Sequence, residues 1–169
     1  MASMIGSISV IVAFLAAIVV TVSGIVGGFR RNQTLIDVAR WGSYMMFAAM
    51  TVAFVTMEIA LLTHDFSVDY VARVGSRETP PYYTAISLWS SLDGSILFWG
   101  WILSAYAALV AYVQRDSHSR LTPFASGVIG FVSIFFFGLL VGPASPFGTV
   151  FPVSYTHLTL PTICFKCRS

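Results

Sequence analysis

The chain has 169 residues, of which 57% are hydrophobic and only 9% are charged, and its net charge is +2. A soluble domain carries about 25% charged residues, so this composition cannot coat an apolar core in water and excludes a soluble catalytic domain. The small net charge gives no indication of nucleic-acid binding. Lipid must therefore solvate most of the chain.

Four apolar stretches are long enough to cross a bilayer, which takes about 20 residues. They are residues 4–28, 41–63, 93–113 and 121–142. The first has no basic segment before it and is too long for the apolar region of a signal peptide, so we expect a mature helix. The sequence therefore predicts an all-α, polytopic transmembrane helical bundle with four spans.

Arginines between the spans predict the orientation. Two connectors on one side of the membrane hold five of them, and the long loop between the second and third spans holds two. The five are Arg30, Arg31, Arg40, Arg115 and Arg120, and the two are Arg73 and Arg77. Basic connectors tend to stay in the cytoplasm, so we expect both termini and the loop 64–92 outside, on the periplasmic face of a bacterial inner membrane.

Small residues recur along the first span. Ser3, Ser7, Gly24 and Gly28 form small-xxx-small pairs, which let helix backbones approach each other closely in a bilayer. The same residues also fit the ordinary composition of a membrane helix.

Glu58 lies about one turn before the outer end of the second span. It is either wetted at the interface, which the neighbouring His64 and Asp65 favour, or held by a partner inside the bundle. His64 fits a solvated loop residue, and an imidazole at the outer surface is also a candidate haem or metal ligand.

An acid, a glycine and a serine stand together at the start of the third span, at Asp93, Gly94 and Ser95, between Trp89 and Trp99. An aspartate at a helix start accepts hydrogen bonds from free N–H groups and meets the positive end of the helix dipole. Tryptophans anchor a helix at the headgroups. The motif is therefore either a structural cap with anchors or part of an outer-face surface for haem or a partner.

The stretch "YYTAISLWSSLDGSILFWGW" resembles the CcmF-type cytochrome c biogenesis proteins, the membrane haem lyase family. The resemblance extends to "HDFSVDYVA" (64–72) and "SPFGTVFPV" (145–153). This chain has Ser90-Ser91-Leu92-Asp93 where the family has two glycines, a polar residue and Glu. On this basis residues 1–153 are identified as an N-terminal transmembrane region of such a protein.

The resemblance implies a membrane component of cytochrome c maturation that handles haem and attaches it to apocytochrome c on the periplasmic face. Implied partners are a periplasmic haem chaperone, an apocytochrome c and other maturation subunits. The family's haem platform and ligating histidines lie downstream, so we expect this chain alone to hold no haem and perform no chemistry. We assign no catalytic, cofactor or metal residue. A transporter or ion-channel subunit with Glu58 and Asp93 as relay acids, or a non-catalytic assembly subunit, are the alternatives.

The resemblance ends at Ser154, and residues 154–169 resemble translated sequencing adapter, so we interpret them as a non-native tail. The tail holds Cys164 and Cys167 with redox spacing. Arg168 stands where a c-type haem site needs histidine, and a metal site would need a second pair of ligands. An accidental pattern is favoured over a redox or metal site.

Overall fold

The computed structural model describes residues 2–63, 70–71, 86, 88, 91–113 and 121–148. Four helices account for most of them: α1 Ala2–Arg30, α2 Gln33–Leu62, α3 Leu92–Val113 and α4 Leu121–Val141. Each is long and apolar enough to cross a membrane. The predicted all-α fold with four membrane-spanning helices is therefore confirmed.

The helix α2 begins earlier than the apolar span alone predicts. Arg40, expected in the connector before the second span, lies inside this helix and pairs with Asp37 at 3.2 Å. The side chain of Asn32 caps the helix by accepting the N–H of Thr34 at 3.0 Å. A helix needs apolar residues only where it meets lipid, so its polar first turns escape a prediction based on hydropathy.

The connection between α1 and α2 is only two residues long. Arg31 has a positive φ of 53°, the left-handed conformation that commonly terminates helices. This conformation lets the N–H of Asn32 reach back to the carbonyl oxygen of Gly27 at 3.3 Å. So short a turn makes α1 and α2 antiparallel neighbours.

The four helices form a ring in which α1 and α3 each pack against α2 and α4. The centre of the ring is filled by fully buried large side chains, among them Met46, Met50, Leu97 and Phe137. Gly100 gives the Phe137 ring its space, because a Cβ there would lie 3.0 Å from the Cε1 atom of that ring. Many of the remaining large apolar side chains are exposed, as expected where lipid is the solvent.

Glycines allow α1 and α4 to approach closely. A Cβ on Gly24 would lie 2.8 Å from the carbonyl oxygen of Pro123 and 2.9 Å from the backbone nitrogen of Gly127. One turn later, a Cβ on Gly28 would lie 2.9 Å from the Phe124 ring. The sequence left close packing open beside the ordinary composition of a membrane helix, and the structure uses Gly24 and Gly28 for a close approach of α1 to α4.

The chain after α4 returns to the start of α1. Phe147 is buried, and its ring occupies the space where Gly6 lacks a side chain. The hydroxyl of Ser3 donates to the carbonyl oxygen of Phe147 at 2.6 Å. This contact closes the same end of the bundle at which α2 ends and α3 begins.

Candidate functional site

The acid-Gly-Ser triplet lies in the first turn of α3. The helix begins at Leu92, so Asp93 is its second residue, and the N–H of Ser95 bonds to the carbonyl oxygen of Ser91 at 3.0 Å. Asp93 is partly buried while Leu92 is 73% exposed. The predicted position at the helix start is thus observed, and the capping role of Asp93 stays a prediction.

Gly94 has a packing role that the sequence did not reveal. A Cβ on this residue would overlap the carbonyl oxygen of Leu88 and the hydroxyl of Tyr70, and would lie 2.8 Å from Cζ of Tyr70. The Tyr70 hydroxyl donates to that Leu88 carbonyl, and both residues are almost fully buried. Gly94 therefore lets Tyr70 and Leu88, from the segment between α2 and α3, pack against the start of α3. The sequence feature that could have indicated this contact is a glycine beside an acid at a helix start, because a residue without a side chain lets other backbone come close.

The tryptophans of α3 occupy two environments. Trp99 is 57% exposed on the outside of the bundle, where a membrane anchor is expected, whereas Trp89 lies outside the described residues. Trp101 instead turns into the space between α2 and α3, where its Nε1–H donates to Thr51 Oγ1 at 3.1 Å. Side chains two residues apart point about 200° away from each other on a helix. The spacing of Trp99 and Trp101 could therefore have indicated that they face different surroundings.

Aromatic rings line the space between α2 and α3, which we call the α2–α3 groove. Phe54 and Trp101 stack with ring centroids 5.0 Å apart and an interplanar angle of 18°. Phe47 and Phe98 each lie 6.3 Å from the Trp101 ring. All four residues are partly exposed.

Glu58 lies one turn beyond Phe54 on the same face of α2, and α2 ends at Leu62. Its Oε2 atom is buried and finds no hydrogen-bond partner among the described residues. The sequence favoured a carboxylate wetted at the interface, and this stays a prediction: the residue is partly exposed, while its Oε2 atom is shielded. Buried polar atoms that lack a hydrogen-bond partner are rare in proteins, which makes this oxygen notable.

No cluster of three or more potential metal ligands occurs among the described residues. His64, His118 and His157 all lie outside them. The described residues therefore offer no histidine to which an iron contact can be assigned, and we assign no haem step to this chain.

Four apolar helices of membrane-spanning length, two of them joined by a tight turn, define the chain as a multi-pass membrane protein. No family model matches the sequence. It is 32% identical over 150 residues to the cytochrome c-type biogenesis protein CcmF of Pseudomonas fluorescens, covering 87% of this chain and 22% of that protein. It is 29% identical over 126 residues to CcmF of Haemophilus influenzae, covering 75% of this chain and 19% of that protein.

A solved structure of the cytochrome c haem lyase CcmF has the same fold. The TM-score is 0.82 at 29% identity, over 90% of this chain and 26% of that one. The chain belongs to the CcmF-type cytochrome c biogenesis proteins. It spans about a fifth of the length of the curated relatives it matches.

Proposed function

We propose that this chain is part of a CcmF-type haem lyase, a component of cytochrome c maturation in the bacterial inner membrane. The observation that carries the proposal is the agreement of fold and sequence with the haem lyase CcmF, at a TM-score of 0.82 over 90% of the chain. In this proposal residues 1–153 are the N-terminal transmembrane region, and residues 154–169 are a non-native tail.

We further propose that both termini face the periplasm. Arg30, Arg31 and Arg40 gather at the end of the bundle where α1 joins α2, and this supports placing that end in the cytoplasm. The opposite end, which holds Asp93, Gly94 and the Tyr70–Leu88 contact, would then lie at the outer surface. That is the face on which haem would be attached to an apocytochrome c.

The role proposed for residues 1–153 is structural rather than catalytic. The helices of this region would support an outer surface on which a haem chaperone, an apocytochrome c and other maturation subunits meet the remainder of the protein. The packing of Tyr70 and Leu88 against Gly94 would fix the outer loop to the bundle. Haem would be bound and ligated by residues elsewhere in the full-length protein.

A transporter or ion-channel subunit is not favoured. A relay of protons or ions needs acids near the middle of the membrane. Among the described residues, the acids Asp37, Glu58 and Asp93 all lie within two turns of a helix end. This arrangement provides no continuous path of carboxylates across the bilayer.

The test is deletion of the gene that encodes the full-length protein, followed by haem staining of denatured membrane and periplasmic proteins. Covalently bound haem should disappear, while b-type cytochromes and apocytochrome synthesis persist, and the intact gene should restore staining. Unchanged c-type cytochromes in the deletion strain would refute the proposal, and a non-catalytic assembly subunit would leave partial staining.

A further inference from the structure

One side of the α2–α3 groove carries a polar and aromatic stripe that extends to the predicted outer end of the bundle. Its residues recur at helical spacing, so their side chains lie on one face of each helix. They are Phe47, Thr51, Phe54 and Glu58 of α2 with Phe98 and Trp101 of α3.

Polar groups within hydrocarbon must find partners inside the protein, because lipid chains offer none. The groove satisfies one such group: the indole N–H of Trp101 donates to Thr51 at 3.1 Å. It does not satisfy Oε2 of Glu58, which is buried and lacks a hydrogen-bond partner among the described residues. A charged carboxylate costs about 3 kcal/mol at the centre of a span and less near its end, where Glu58 lies.

The described cations cannot supply the missing partner. Arg40 is 18 residues from Glu58 on the same helix, which at 1.5 Å per residue is about 27 Å. Arg30 and Arg31 lie at that same distant end of the bundle. Any cation that pairs with Glu58 therefore lies outside the described part of the chain.

We propose that the α2–α3 groove receives a further transmembrane helix of the CcmF-type protein, and that a lysine or arginine on this helix pairs with Glu58. The inference rests on the proposed function in one respect, that the chain forms part of a longer membrane protein. The relatives leave ample length for such a helix, since the match covers only 22% of the Pseudomonas fluorescens protein. The partly exposed aromatic rings provide a packing surface. The shielded carboxylate oxygen sets the depth and the positive sign of the charge on the partner helix.

Photo-crosslinking in the full-length protein, expressed in its bacterial membrane, tests the occupant. The probe p-benzoylphenylalanine replaces Leu62, which is exposed one turn beyond Glu58 on the same flank of α2. The control position is Ile59, which is also exposed but points about 100° away from Glu58. The Leu62 probe should crosslink to a transmembrane peptide of the same polypeptide that contains a lysine or arginine, whereas the Ile59 probe should crosslink to lipid. Crosslinks from position 62 only to lipid, or only to residues 64–90, would overturn the proposal.

Substitution of Glu58 tests the charge. In the Leu62 probe background, Glu58→Lys should lower the crosslink yield at least about threefold, the factor that corresponds to an average interhelical polar contact in a bilayer. Glu58→Gln should lower it less, because the amide still accepts a hydrogen bond. Changing the identified basic residue to Glu should restore the yield in the Glu58→Lys background, and failure of this exchange at equal protein abundance would exclude the ion pair.

The crosslinking experiment does not depend on cytochrome c maturation, so this inference and the proposed function can be refuted separately. Cells that mature cytochrome c normally while the groove crosslinks only to lipid would refute this inference and leave the proposed function intact. If the Leu62 probe crosslinks to a helix but c-type cytochromes mature normally without the protein, the proposed function would be refuted and this inference would stand.

Discussion

The hydroxyl group of Tyr70 donates a hydrogen bond to the backbone carbonyl oxygen of Leu88, and both groups lie directly against Gly94 in the first turn of α3. The two bonded residues are 18 positions apart and almost fully buried. The contact thus joins two parts of the segment between α2 and α3 at a single point on the bundle. Any side chain at position 94 must displace it.

Replacing Gly94 by alanine should destabilise the protein by about 1–3 kcal/mol, because the added methyl group overpacks the site. The measurement is the thermal unfolding midpoint of the full-length protein in detergent. Gly138→Ala is the matched control, since a Cβ there would have its nearest neighbour, the Phe14 ring, at 3.7 Å. Equal midpoints for the two variants would contradict the packing described for Gly94.

The hydrogen bond from Trp101 to Thr51 should appear as energetic coupling between α2 and α3. A double-mutant cycle of Trp101→Phe and Thr51→Val should give a coupling free energy of about 0.6 kcal/mol, the average for such contacts in membranes. The readout is the free energy of unfolding in a detergent or bicelle titration. Trp99→Phe combined with Thr51→Val is the control and should be additive, because Trp99 faces outward. Additivity of both pairs would show that the hydrogen bond contributes nothing measurable.

Asp93 is expected to act through its position at the start of α3. Asp93→Asn retains a side-chain acceptor for the first-turn N–H groups and should leave membrane insertion and abundance nearly unchanged. Asp93→Leu should destabilise the helix start by about 1 kcal/mol. Immunoblots of membrane fractions report abundance, and haem staining reports maturation. Loss of cytochrome c maturation in an abundant, correctly inserted Asp93→Asn variant would assign the carboxylate a functional role.

The proposed orientation can be tested by cysteine accessibility in a background that lacks Cys164 and Cys167. A membrane-impermeant maleimide added to the periplasmic side should label a cysteine at Ser76 and leave one at Ser117 unlabelled until the membrane is permeabilised. The reason is the greater number of arginines in the connectors predicted to be cytoplasmic. The reverse labelling pattern would invert the topology.

The sequence by itself determined that the chain forms four membrane-spanning helices. Run length and the scarcity of charge suffice for this, because hydrocarbon admits a backbone only when its hydrogen bonds are satisfied within a helix or closed barrel. The sequence also located Asp93 at a helix start and Glu58 near a helix end, since charges are least costly there. The sequence-based prediction placed the start of α2 too late, because the polar residues of its first turns do not raise the hydropathy on which the prediction relied.

Only the tertiary structure decided which side of each helix faces its neighbours. Phe135 and Phe137 are the same residue type two positions apart on α4, yet the first is 65% exposed and the second is fully buried in the centre of the bundle. Trp99 and Trp101 divide in the same way between the outside and the α2–α3 groove. In a membrane, lipid and protein core are equally apolar, so hydrophobicity does not distinguish the two faces and packing alone selects between them.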